Sequence, residues 1–208
     1  EIVKSYIRQA HPRLESAINV RALSGGAKTI IGRYIYSFSQ AGEDKAIFLL
    51  DGDMNYRRRA ASNIGIRAKI SNYYDTDDAF CEKRIPESDN PNLDEIFYEI
   101  TGIKSNTVFC PDGSNGSTNN QQKYQQIRDF LTYWFSHVYF FDGLTPEDAI
   151  ISNLSEEERT VLYSGAKGIE QGGKEVFRAY TQNELRNDDV TSSEILVMQK
   201  RFINRLEL

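Results

Sequence analysis

Apolar residues recur along this chain with two periods, and the switch between them marks its elements. Ile2, Val3, Tyr6, Ile7 and Ala10 form one stripe at helical spacing, and His11-Pro12 ends that helix. Ile18 to Leu23 alternates apolar and polar positions up to the Ser24-Gly25-Gly26 turn, which predicts a strand. From Lys28 to Ser39 the period returns to helical, with Ile31, Ile35 and Phe38 on one face beside Tyr34, until Ala41-Gly42 closes the helix. The short run Lys45-Ala46-Ile47-Phe48-Leu49-Leu50 then stops abruptly at Asp51-Gly52-Asp53. Such a run reads as a buried parallel strand whose C-terminal end opens into a site. Helix, strand, helix, strand is the order that builds a parallel sheet.

The pattern beyond position 53 is less regular. Tyr56 to Asn63 predicts a short helix exposing Arg57, Arg58 and Arg59, and Ile64, Ile66, Ala68 and Ile70 alternate through a possible strand over Gly65 to Ser71. Residues 75–125 read as an insertion on one rim of the sheet. It holds acidic helical pieces at Asp77 to Lys83 and Leu93 to Thr101, and a run from Pro111 to Ser117 with the composition of a mobile loop. Tyr124 to Ser136 predicts an aromatic-rich helix, followed by a second buried strand, His137 to Phe141, that also runs into carboxylates at Asp142, Glu147 and Asp148. In a parallel sheet both acidic ends lie on one edge. Helices follow from Ser155, joined by glycine turns around Lys167 and Lys174. An amphipathic helix from Ser192 to Leu208 carries the row Ile195, Met198, Phe202 and Leu206, facing the core or a partner. The expected organisation is an α/β core over 1–74 and 126–180, the insertion at 75–125 and a C-terminal helix over 181–208.

Composition narrows the classes. The 208 residues suffice for a substantial core. No stretch approaches the roughly 18 apolar residues of a membrane span, and no leader pattern is visible, so the expectation is a protein without a membrane. Cys81 and Cys110 match no zinc spacing, and two cysteines in a chain of this size suit a reduced, cytoplasmic setting. A formal charge of −5 argues against an overall electrostatic grip on nucleic acid, while leaving room for a local basic groove. The start at Glu1, inside a predicted helix, suggests a piece of something longer.

Asp51 and Asp53 are the sharpest chemical signal. A glycine between them lets the backbone turn tightly, so both carboxylates can reach one hard cation, Mg²⁺ or Mn²⁺. The plain alternative is a helix cap by Asp53 with Asp51 solvated beside it. Leu23-Ser24-Gly25-Gly26-Ala27-Lys28-Thr29 invites comparison with an ABC-type ATPase signature, and Phe48 to Asp51 with a Walker B strand. Gly52 stands where that chemistry needs a glutamate, and no phosphate-cradling loop of the P-loop pattern occurs. The same turn can instead offer backbone N–H groups and Lys28 to a phosphate. Phosphatases of the haloacid-dehalogenase type and nucleotide-sugar glycosyltransferases also use D-x-D. Asn55 is unsuitable for the first, and the upstream chain is too short for the second.

The order of helix, strand ending Leu-Ser-Gly-Gly, helix and D-x-D strand resembles a TOPRIM domain, the metal-dependent fold of topoisomerases, bacterial primases and OLD-family nucleases. The resemblance spans residues 1 to about 71 and 137 to 180. It implies a mostly parallel sheet flanked by helices, with a helical insertion and a helical C-terminal part. In the OLD branch a serine-or-threonine-x-glutamate element and a downstream lysine complete the site. Thr145-Pro146-Glu147 resembles the former, and Lys167 or Lys174 the latter. The family's principal glutamate belongs to a strand before the first helix, outside this sequence; Glu1 corresponds to a second acidic residue of that element.

The resemblance therefore implies a metal-dependent DNA nuclease working beside an ATPase domain or subunit, as an oligomer, in antiviral defence. Asp51, Asp53, Glu147 and Glu1 would hold metal, Glu147 or a lysine at 167 or 174 would serve the reaction, and Lys28 with Arg57, Arg58 and Arg59 would track the phosphate backbone. Glu147 has an equally good reading as a first-turn glutamate favoured by the helix dipole. Asp142 and Asp148 are lesser candidates, His11 and His137 are structural, and Trp134 belongs to the core. The rival from another class is a scaffold of this fold that has lost catalysis and serves assembly, and a fragment of an ABC-type ATPase is a further alternative.

Overall fold

The computed structural model describes residues 2–56, 93–109, 116–169 and 171–203. The predicted helix at 56–63 beyond its first residue, the predicted strand at 65–71 and the acidic piece at 77–83 lie outside them, as do both cysteines. The chain divides into two compact units, Leu23–Phe140 and a helical unit made of Glu1–Ala22 with Phe141–Leu208. The described residues are mostly helical with a small parallel sheet, an arrangement compatible with an α/β fold.

In the first unit, α2 (Ala27–Thr29) runs through a π-helical stretch, Ile30–Ile35, into α3 (Tyr36–Ala41). Ile31 and Ile35 are fully buried on the predicted face, and Gly42 closes the helix at φ 64°, a left-handed cap that suits glycine. β1 (Phe48–Leu50) pairs in parallel with β2 (Val138–Phe140), Phe48 opposite Val138 and Leu50 opposite Phe140. Both strands therefore leave the sheet at one edge. They are not buried on both faces as expected: Leu49 is 41 % and Tyr139 52 % exposed, because among the described residues nothing covers that side of the pair. Helix α5 (Gly116–His137) passes directly into β2 with no intervening loop. Its last residues are pinned by His137, which stacks on Tyr133 at 4.0 Å and donates from Nδ1 to the Tyr133 carbonyl at 3.0 Å.

Residues 93–109, expected on a rim, instead enter the same core as the sheet. Helix α4 (Leu93–Thr101) packs on α5, and Leu93, Phe97, Ile100 and Phe109 join Ile31, Phe48, Leu50, Phe130 and Trp134 in one cluster. Phe97, Phe109 and Phe130 meet pairwise at ring centroid distances of 5.2 to 6.0 Å. Trp134 is 1 % exposed, which fits a packing role. Asp94, in the first turn of α4, accepts from the Ser105 hydroxyl and pairs with Lys123 of α5 at 2.6 Å.

The helical unit contains α1 (Ile2–Ala10), α6 (Pro146–Ser152), α7 (Glu156–Gly165), α8 (Gly173–Leu185) and α9 (Ser192–Ile203). Helix α8 is central, touching α6, α7 and α9, and Val176, Phe177 and Tyr180 along it are buried with Ile150, Leu162, Met198 and Phe202. Met198 and Phe202 thus face this core, not a partner. The alternation at 18–23 forms no strand: it has no ladder partner among the described residues, and Ile18 is 44 % exposed. Alternation creates a strand only when a neighbouring backbone takes up its hydrogen bonds.

Candidate functional site

The turn after β1 is built by a tight 3₁₀ segment, Gly52–Met54, whose first bond runs from the Met54 N–H to the Asp51 carbonyl at 3.0 Å. Asp51 and Asp53 are exposed and flank a buried Gly52. Asp51 occupies the N-cap position of this turn with no side-chain capping bond, and the helix that Asp53 is expected to cap lies, beyond Tyr56, outside the described residues. Two exposed carboxylates two residues apart thus follow a strand of a parallel pair, and both can offer only oxygen to a ligand. Such a set suits a hard cation that keeps most of its waters. Among the described residues no group of three or more His, Cys, Asp and Glu side chains is assembled for a metal.

Lys28 is exposed at the start of α2 behind Gly25 and Gly26. Gly25 sits at φ +105°, and a Cβ there would come within 2.8 Å of the Thr29 side chain, so glycine is required by both conformation and space. Arg57, Arg58, Arg59 and Glu1 lie outside the described residues.

The other predicted residues belong to the helical unit, and their surroundings separate them. Thr145 caps α6 and forms a capping box with Asp148: the Asp148 N–H donates to Thr145 Oγ1 at 3.3 Å, and Asp148 Oδ2 accepts from the Thr145 N–H at 2.9 Å. The other oxygen, Asp148 Oδ1, accepts from the Gly173 N–H at 2.7 Å. One carboxylate therefore joins the N-termini of α6 and α8, where both helix dipoles favour negative charge. Two glycines make room for it. A Cβ at Gly143 would come within 2.5 Å of Asp148 Cβ, and one at Gly173 within 2.6 Å of Asp148 Oδ1.

Glu147 occupies the first turn of α6, half-buried, and its Oε1 accepts from Gln199 Nε2 of α9 at 3.2 Å. Lys167 is exposed in the turn after α7 at φ 53°, and Lys174 is exposed in the first turn of α8. Asp142 is exposed just after β2. Sequence reasoning missed Gln199; its signal is a long polar side chain on the apolar side of a helix, next to Met198. A cleft of roughly 390 Å³ in this unit, lined by Glu157, Glu158, Val161, Tyr180, Arg201 and Phe202, includes none of the predicted residues.

Among known proteins, no family model, no characterised protein and no solved structure matches this chain. No helix among the described residues is long and apolar enough to cross a membrane.

Proposed function

We propose that this chain is a TOPRIM-like domain of a metal-dependent nuclease that hydrolyses phosphodiester bonds in DNA. The observation that carries the reading is the Asp51-Gly52-Asp53 turn: two exposed carboxylates flanking a buried glycine, directly after a strand of a parallel pair. Asp51 and Asp53 would hold Mg²⁺ or Mn²⁺. When bound, such an ion supplies an acidified water and neutralises charge on the scissile phosphate.

In the hydrolysis the water oxygen bonds to phosphorus as the bond to the leaving sugar oxygen breaks; one proton leaves the water and one reaches the leaving oxygen, so no co-reactant is needed. The resemblance gives the water-orienting role to Glu147, and charge stabilisation to a lysine at 167 or 174. Lys28 and the arginines at 57 to 59 would follow the phosphate backbone. By the same resemblance the domain works beside an ATPase, in a cytoplasmic antiviral defence assembly.

A plasmid-nicking assay with Mg²⁺ or Mn²⁺ tests this, comparing the wild type with Asp51→Ala and Asp53→Ala. Each substitution is expected to lower the rate at least a hundredfold while leaving the melting temperature unchanged, since both side chains are exposed. Equal rates in all three proteins refute the reading and leave an assembly scaffold in its place.

A further inference from the structure

Charge is not spread evenly along this acidic chain. Acidic residues outnumber lysine and arginine 30 to 25 overall, yet between Glu1 and Glu43 the one acid is Glu15, against Lys4, Arg8, Arg13, Arg21, Lys28 and Arg33. The first four of those cations belong to the helical unit, in the stretch that ends at Ala22. Glu15 is taken up by Arg8, whose Nε donates to its Oε1 at 2.9 Å. Lys4, Arg13 and Arg21 are exposed and have no anionic partner among the described residues.

The same stretch is ordered without being buried. Helix α1 packs on α9 and buries Ser5 and Ile7. From Arg8 to Asn19 every residue is then exposed, Leu14 and Ile18 included at 46 % and 44 %. The backbone still turns in a defined way: the His11 N–H donates to the Ile7 carbonyl at 2.8 Å, the Leu14 N–H to the His11 carbonyl at 2.8 Å and the Ile18 N–H to the Leu14 carbonyl at 3.0 Å. Two side-chain contacts tie this turn back to α1, Arg8 with Glu15 and the Tyr6 ring edge-on to His11 at 5.8 Å. Ordering a chain costs entropy that burial ordinarily offsets. Here the core recovers almost nothing, and what the turn displays is positive charge.

We infer that the exposed face of residues 4–21 is a contact surface for the phosphate backbone of DNA. The inference rests on the reading that DNA is the substrate, and it needs neither the metal nor any contact between the two units. Three of the four cations are arginines, whose planar guanidinium meets two phosphate oxygens at once. An anionic membrane would attract the same charges, but a surface helix on lipid needs a broad apolar face with aromatic anchors. This stretch has a short turn, two exposed aliphatic side chains and one aromatic residue, Tyr6, already engaged by His11.

The test measures binding of a fluorescent DNA duplex in EDTA, where nothing is cleaved, as a function of salt. Proteins compared are the wild type, the triple variant Lys4→Gln/Arg13→Gln/Arg21→Gln, its charge-keeping counterpart Arg13→Lys/Arg21→Lys, and a control from the same unit, Arg178→Gln/Arg186→Gln. The triple variant is expected to bind roughly 30- to 300-fold more weakly at about 0.1 M salt, and the slope of log K against log salt should fall by about 2 to 3. Its melting midpoint should match the wild type; should it melt early, Arg13→Gln alone, in the exposed turn, should lower the slope by about 1. The lysine variant should stay within about threefold of the wild type, and the control should keep the wild-type slope. Wild-type binding and slope in the triple variant, an equal loss in the control, or a wild-type chain that does not bind DNA overturns the inference. So does a triple variant that keeps DNA but loses binding to vesicles rich in phosphatidylserine. DNA binding as expected with no nicking under Mg²⁺ or Mn²⁺ leaves this surface standing and removes the nuclease reading. Nicking by a chain whose triple variant binds like the wild type does the reverse.

Discussion

The two units start their helices differently, and the difference sorts their carboxylates. In the helical unit α6, α7 and α9 each begin with a reciprocal box: Thr145 with Asp148, Ser155 with Glu158, and Thr191 with Glu194. In the unit from Leu23 to Phe140, α2 starts at Gly26 without a side-chain cap, and the turn at Asp51 likewise has none. The acids at the starts of α6, α7 and α9 are thus explained by their boxes, while α8 starts at Gly172 without a side-chain cap and Asp94 of α4 is held by Ser105 and Lys123. Asp51 and Asp53 lie in an exposed turn with no side-chain cap at Asp51, whereas Asp148 joins two helix starts.

The largest effects that can break this contrast are those of Asp51→Ala and Asp53→Ala on nicking, at least a hundredfold on rate and none on folding. Asp148→Ala should do the reverse in the folding experiment. Losing the cap and the bond from Gly173 costs about 2 kcal/mol, a fall of about 4–8 °C in the melting midpoint by calorimetry. A Asp148→Ala protein with an unchanged midpoint would return that residue to the list of candidates for chemistry.

Smaller effects sharpen the picture. The Tyr133 hydroxyl is buried with no hydrogen-bond partner among the described residues, and burial, followed by the nearby charges of Glu43 and Asp44, pushes its pKa above the ordinary tyrosine value. A raised folded pKa gives stability that is complete below the unfolded value and is lost as pH rises through the folded one. Tyr133→Phe should therefore raise stability by about 1 kcal/mol at neutral pH and flatten the alkaline limb of a melting series. The smallest effect belongs to Glu194, held below the usual carboxylate range first by the Thr191 hydroxyl and then by the Thr191 N–H. Its contribution is present above the unfolded pKa and is lost as pH falls through the lowered folded one. Glu194→Gln should remove that acid-side slope, and an unchanged slope would show that the α9 box contributes nothing in solution.

Local signals made much of this readable. Helical periodicity located α1 and the Ile31/Ile35 face, Gly42 marked a C-terminus, and two apolar runs ending in acid gave a parallel pair with a common edge. What sequence period does not record is the partner. Residues 18–23 alternate without a strand to join, and α5 starts before Tyr124, at Gly116, ahead of the apolar period that revealed its later turns. Phe97 and Phe109 reached the sheet's core through packing that no spacing encodes. For the candidate site, the D-x-D turn was visible in one glance at the chain. The bond from Gly173 to Asp148 spans 25 residues, and that from Gln199 to Glu147 spans 52, so the different partners of these adjacent acids could not be.

The seamless passage from α5 into β2 makes that stretch a rigid crank. Strand side chains alternate, so one residue inserted between His137 and Val138 would turn Val138 and Phe140 outward and drive Tyr139 toward the apolar layer, spoiling the match with Phe48 and Leu50. With no loop to absorb the extra length, substitutions at this joint are expected to survive where insertions and deletions do not.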